Sequence, residues 1–103
     1  MSPNTLLEQE GNLNMQRKKI IIPNQLGLHA RAAAKLAALA ANFNSEVWIK
    51  YGDKRANSKS IMEIMMLAAT QSAEIELIVE GADEIATLDA LEKLINDKFG
   101  ENV

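Results

Sequence analysis

Residues 19–43 read KIIIPNQLGLHARAAAKLAALAANF, and the order of signals in this stretch decides the fold. The β-branched run at 19–22 predicts a strand, and Pro23-Asn24 stops it with a turn. Residues 30–43 are then dense in alanine, the strongest helix former. Ala33, Leu36, Ala37, Ala40 and Phe43 recur at spacings of three and four, so one face of that helix should be buried. Its small side chains predict a close approach to a neighbouring element, and Asn42 and Asn44 supply a stop. The chain's single histidine, His29, falls at the helix N-terminus with Arg31 two residues on. Unpaired N–H groups and the positive end of the helix dipole meet there, so the place suits an anion, phosphate being the obvious one.

Working outward, residues 46–51 alternate, with Val47 and Ile49 on one side and Trp48 and Lys50 on the other. Gly52-Asp53 predicts a hairpin turn into a short strand over 54–57. A short helix is expected over 61–67, opened by the capping box Ser60 and Glu63. Residues 74–80 alternate again, with Ile75, Leu77 and Val79 inward and Ile78 breaking the polar side. Gly81 ends that strand. A last helix is expected over 83–98, its inner face formed by Ile85, Leu88, Leu91 and Ile95. Asp83 and Glu84 suit its N-terminus and Lys98 its C-terminus. The order βαββαβα, with one apolar sheet face to cover, predicts an α+β open-faced sandwich: a four-stranded antiparallel sheet under three helices.

The 103 residues make one small domain, of ordinary hydrophobic (48%) and charged (24%) content. Residues 1–16 are polar, lack periodicity and read as a flexible lead before a domain over 17–103. Met15 could itself be an initiator, and a short helix through Leu6 and Leu7 would have little to bury. With no cysteine and one histidine, thiol chemistry, disulfides and a metal chaperone with paired ligands are poor readings. A net charge of −3 argues against a general nucleic-acid binder. No apolar run is long enough to span a bilayer, and no secretory signal is legible, so the cytoplasm is the expected location.

Gly27-Leu28-His29-Ala30-Arg31, Ser58-Lys59-Ser60-Ile61-Met62 and Glu80-Gly81-Ala82-Asp83-Glu84 together resemble the HPr family of histidine-containing phosphocarriers of bacterial phosphotransferase systems. The resemblance runs over about residues 17–100. Sugar-system members usually have proline directly after the arginine. Here Ala32 stands there, and with Asn57-Ser58-Lys59-Ser60 and Met65-Met66-Leu67-Ala68-Ala69 it is closer to the NPr, or nitrogen-regulatory, branch. The resemblance implies a phosphoryl group taken on His29, at Nδ1, from a phosphoenolpyruvate-dependent enzyme I and passed to an EIIA-type acceptor. It implies no cofactor, no metal and no turnover of a small molecule. A monomer is expected.

The chemistry suits those residues. Imidazole is nucleophilic enough to accept a phosphoryl group, and the N–P bond stays reactive enough to release it. The backbone N–H groups of Ala30 and Arg31 would hold the phosphoryl oxygens, and the Arg31 guanidinium would offset their charge. Ile61, Met62, Met65 and Met66 cannot all face inward on a helix of two turns. Some are expected to form an exposed docking patch beside His29, extended by Leu28 and Ala32. Ser60 reads first as a helix cap. The matching serine is phosphorylated in some Gram-positive members, which makes it a second candidate site, although Glu63 would repel that phosphate. Two other functional readings are a sugar-transport HPr and a binding regulator whose phosphorylation state controls another protein.

Overall fold

The computed structural model describes residues 15–103. Its elements are β1 (Met15–Ile21), α1 (Ala30–Ala40), β2 (Glu46–Tyr51), β3 (Lys54–Asn57), α2 (Ile61–Met66), β4 (Glu74–Glu80) and α3 (Glu84–Asn96). The expected order βαββαβα is therefore the order found. The strands form one antiparallel sheet in the spatial order β1-β4-β2-β3. All three helices pack on one another or on that sheet, α3 lying against β1 and β4.

The strand pattern explains the single covered face. Ile20 pairs with Ile75, Ile49 with both Leu77 and Ala56, and Val47 with Val79. All seven are buried. Because strand side chains alternate, this register sends the intervening residues to the other face. That outer face is mostly polar, with Trp48 and Ile78 half-buried and Ile21 exposed, and Arg55 stacks 4.4 Å from the centroid of the Trp48 ring. From the helices, Leu36, Ile64, Leu91 and Ile95 complete the core with no exposed surface. Each such side chain contributes about 1.5–3 kcal/mol by leaving water.

The structure moves several expected boundaries. β1 starts at Met15, so Met15 and Gln16, assigned to the lead by composition, pair with Glu80 and Val79. The stretch through Leu6 and Leu7, where a short helix would have little to bury, lies outside the described residues. α1 ends at Ala40, and the N–H groups of Asn42 and Phe43 turn back to Leu39 and Ala40. Phe43 thus lies beyond the helix and is half-buried. In α3 the buried stripe is Glu84, Thr87, Leu91 and Ile95, while Ile85 is 64% exposed. Asp83 sets that phase. Its carboxylate accepts from the N–H groups of Asn44 and Ser45 (both 2.9 Å), from the Ser45 hydroxyl and from the Thr87 hydroxyl (3.3 Å). Tied to the α1–β2 loop in this way, the first turn of α3 points Thr87 inward and Ile85 outward.

Candidate functional site

The loop that delivers His29 is built on glycine. Gly27 has φ +65°, and a Cβ there would stand 2.4 Å from the Ala69 carbonyl oxygen and 2.8 Å from Thr70 Cα. Only a residue without Cβ fits both that conformation and that approach. The next N–H, of Leu28, donates to the same Ala69 oxygen (2.9 Å), fastening the loop to the segment after α2. His29 then takes extended backbone (φ −75°, ψ 179°) and becomes the N-cap of α1. Its carbonyl accepts from Ala33 N–H (2.8 Å), and its Nδ1 accepts from the Arg31 N–H at a long 3.3 Å.

A residue from the far end of the chain completes the site. Glu101 Oε2 lies 2.5 Å from His29 Nε2. Its other oxygen, Oε1, accepts from Asn24 Nδ2 (3.0 Å), which also donates to the Gly27 carbonyl (2.9 Å). Burial pushes the Glu101 carboxyl up, but the hydrogen bonds from Asn24 and His29 and the nearby charges of His29 and Arg31 outweigh it. The group is held below the usual carboxylate range. The turn that brings Glu101 here is unusual: Lys98, Phe99 and Gly100 all have positive φ (57°, 56° and 77°). Two anchors hold it. Phe99 is fully buried, and its carbonyl accepts from Lys35 Nζ of α1 at 2.6 Å. Gln25 N–H donates to the Val103 oxygen (3.0 Å), which closes the far side.

The result is a shallow cleft lined by Leu26, His29, Arg31, Gly100, Glu101 and Val103. The His29 side chain is one-quarter exposed, and Ala30 and Arg31 at the first turn of α1 are exposed. An anion entering the cleft meets the ring, the helix N-terminus and the guanidinium together. Among the described residues no group of three or more His, Asp or Glu side chains could hold a metal ion. No described helix is long and apolar enough to cross a membrane.

The exposed apolar patch on α2 is narrower than the one expected for docking. Ile61, Met62, Met65 and Met66 are 40–70% exposed, while Ile64 and Leu67 of the same segment are buried. Leu28 and Ala32 do not extend the patch, because both are buried. The Leu28 tie to Ala69 turns its side chain into the core, and Ala32 lies on the inner face of α1. Met66 faces a separate groove with Lys54, Arg55, Glu63 and Leu67. The Ser60 hydroxyl accepts from Glu63 N–H (3.2 Å), half of the expected capping box. The Glu63 carboxylate instead reaches back to Asn57 N–H (3.0 Å).

Sequence reading overlooked Glu101, Asn24 and Phe99. Phe99 was open to detection as an aromatic just past an amphipathic helix. Glu101 carried no signal, since its partner lies 72 positions away.

Residues 16–97 match the family model described as "PTS HPr component phosphorylation site". The phosphocarrier protein HPr of Neisseria meningitidis is 52% identical over 87 residues, spanning 84% of this chain and 98% of that protein. The phosphocarrier protein NPr of Shewanella violacea is 43% identical over 84 residues, spanning 82% and 92%. A crystal structure of HPr-C-His from Thermoanaerobacter tengcongensis superposes with a TM-score of 0.82 at 42% identity, over 85% of this chain and 99% of that one. A small carrier fold with a histidine at a helix N-terminus is thus matched in sequence and in structure. The chain belongs to the HPr family of phosphocarrier proteins of the phosphotransferase system. Such a protein carries a phosphoryl group between other proteins and has no independent turnover of its own.

Proposed function

We propose that His29 carries the phosphoryl group, received at Nδ1 from a phosphoenolpyruvate-dependent enzyme I in the cytoplasm and passed to an EIIA-type protein. The observation that supports this reading is the aim of Nδ1 at the Arg31 N–H, where the helix N-terminus can receive phosphoryl oxygens. As the imidazole lone pair attacks phosphorus, the bond from phosphorus to the donor breaks and its electron pair leaves with the donor. The Ala30 and Arg31 N–H groups and the Arg31 guanidinium bind the transferred oxygens. The exposed Ile61, Met62 and Met65 side chains form the apolar contact for both partners. The open cleft suits a carrier, which must release its cargo as readily as it takes it.

Within the family the proposed role is regulatory, in the nitrogen-type branch. Ala32 supports it. The position after Arg31 is packed to zero exposure with alanine, where sugar-system members usually have proline. The higher identity to proteins named HPr favours the second reading, a sugar-transport carrier. We take the carrier to be a monomer. A relative from Thermoanaerobacter tengcongensis, 45% identical, is described as an HPr dimer, and light scattering separates the two states.

The test is transfer of labelled phosphate from phosphoenolpyruvate through enzyme I to wild type and to His29→Ala. Acid-labile, base-stable label on wild type alone supports the carrier. Absence of label, with an enzyme I active on another carrier, points instead to a binding regulator. Offering the labelled protein to nitrogen-type and sugar-type EIIA proteins then separates the two branches by which one accepts.

A further inference from the structure

The geometry points to Glu101 as a positioning residue that holds His29 in the Nε2–H tautomer and so leaves Nδ1 bare for the phosphoryl group. This rests on the reading of His29 as the carrier. Three contacts on the two residues agree. An ionised carboxylate can only accept, so the 2.5 Å contact between Nε2 and Oε2 places the hydrogen on Nε2. The Arg31 N–H can only donate, so its 3.3 Å contact requires a lone pair on Nδ1. Asn24 Nδ2 donates both to the Gly27 carbonyl and to Glu101 Oε1. Turning the Asn24 amide round would set its oxygen against the Gly27 oxygen. Asn24 therefore stays a donor toward Glu101 and keeps that side chain in an accepting role.

The arrangement has a chemical consequence. With the hydrogen held on Nε2, no proton has to leave His29 during transfer. The Nδ1 lone pair forms the bond to phosphorus, the donor's bond to phosphorus breaks, and Nε2–H stays on Glu101 throughout. The long Arg31 contact is released from Nδ1 at the same moment and meets a phosphoryl oxygen. The carboxylate also offsets positive charge gathering on the ring, the usual work of a carboxylate behind an imidazole. The rest of the turn serves this placement. Buried Phe99 and the Lys35 bond to its carbonyl hold Glu101 in reach despite three successive left-handed residues.

Glu101→Gln is the informative change. Its amide oxygen keeps the bond from Asn24, which turns its NH2 toward Nε2. That group can only donate, so the hydrogen moves to Nδ1, where it blocks the nucleophile. The same kind of swap behind a catalytic histidine misplaces the tautomer in serine proteases. The experiment records the 15N shifts of the His29 ring on the full-length protein for wild type, Glu101→Gln and Glu101→Ala. It also measures labelled phosphoryl transfer from phosphoenolpyruvate and enzyme I.

The expected result is a pyridine-type Nδ1 in wild type and the inverted pattern in Glu101→Gln. Glu101→Ala should give a mixture of tautomers. Transfer to Glu101→Gln should be slower by roughly 10–100-fold, with melting unchanged. A hydrogen on Nδ1 in wild type overturns the proposal even where no variant folds. So does wild-type transfer by Glu101→Gln, or slow transfer with the tautomer unaltered. Failure of wild type to take label refutes the carrier reading instead, while the ring shifts still report on Glu101.

Discussion

Replacing Gly27 with alanine tests how the loop presents His29, and Gly52→Ala supplies the control. Both glycines are left-handed, at φ +65° and +59°. Holding an L-residue there costs about 1–2 kcal/mol. A Cβ at residue 52 meets nothing within 4 Å, so its cost stops at that figure. At residue 27 the Cβ stands 2.4 Å from the Ala69 carbonyl oxygen, a backbone atom with no rotamer to escape into. Overpacking of this kind adds about 1–3 kcal/mol. The Leu28 N–H bond to the same oxygen is lost as the segments part, about 0.5–1.5 kcal/mol more. Gly27→Ala should therefore cost about 2.5–6.5 kcal/mol, a large share of the roughly 5–15 kcal/mol that holds a domain folded. For a domain of this size each kcal/mol lowers Tm by about 4–8 °C. Thermal unfolding followed by far-UV circular dichroism, with urea titration to fix the m-value, reads both variants. Gly52→Ala should melt about 4–16 °C below wild type, and Gly27→Ala at least about 6 °C below Gly52→Ala. Equal melting of the two variants would show that the loop does not depend on the approach to Ala69, and the account of how His29 is delivered would fail.

Three further outcomes are expected. Arg31→Ala removes an exposed side chain, so stability should change by about 0.5 kcal/mol at most, while phosphoryl transfer slows by roughly tenfold or more; an unchanged rate removes its role. Met62→Glu alters a side chain that is 70% exposed and should leave melting unaltered. It should weaken enzyme I binding by roughly tenfold or more, as expected when about 1.5–3 kcal/mol of apolar contact is lost; normal affinity on titration calorimetry rejects the docking patch. Asp83→Asn tests the acid limb of stability. The Ser45 hydroxyl first, then the Asn44 and Ser45 N–H groups and Thr87, hold the Asp83 carboxyl below its ordinary range against the opposing effect of burial. A depressed carboxyl favours folding above its unfolded value and loses that contribution as pH falls through the folded one. Wild type and Asp83→Asn should thus differ in Tm at neutral pH and converge in acid, and a gap independent of pH would contradict this.

Much of the fold could be read locally because its signals are local. The alternation at Val47 and Ile49 and at Ile75, Leu77 and Val79 names the inner face of two strands. Gly52-Asp53 marks the turn from β2 into β3, and the alanines of α1 repeat at helical spacing. Where the reading slipped, a distant contact had overruled periodicity. Ile85 fits an amphipathic stripe as well as Thr87 does, but the Asp83 tie to Asn44 and Ser45 sets the phase of α3. Leu28 and Ala32 flank the histidine in sequence and so looked exposed, yet the bond to Ala69 turns the first inward and the pitch of α1 buries the second.

By itself the sequence determined the class of fold, the place of His29 at a helix N-terminus and its companion Arg31. Each of these follows from residues within a few positions of one another, where propensity and spacing act. Only the tertiary structure decided which nitrogen of His29 faces the helix and what stands behind the ring. That choice depends on Glu101 and Asn24, which lie 77 positions apart and meet through a left-handed turn pinned by Phe99 and Lys35. A hydrogen-bond partner at that separation leaves no periodic trace in the chain, because its position is set by how the layers pack.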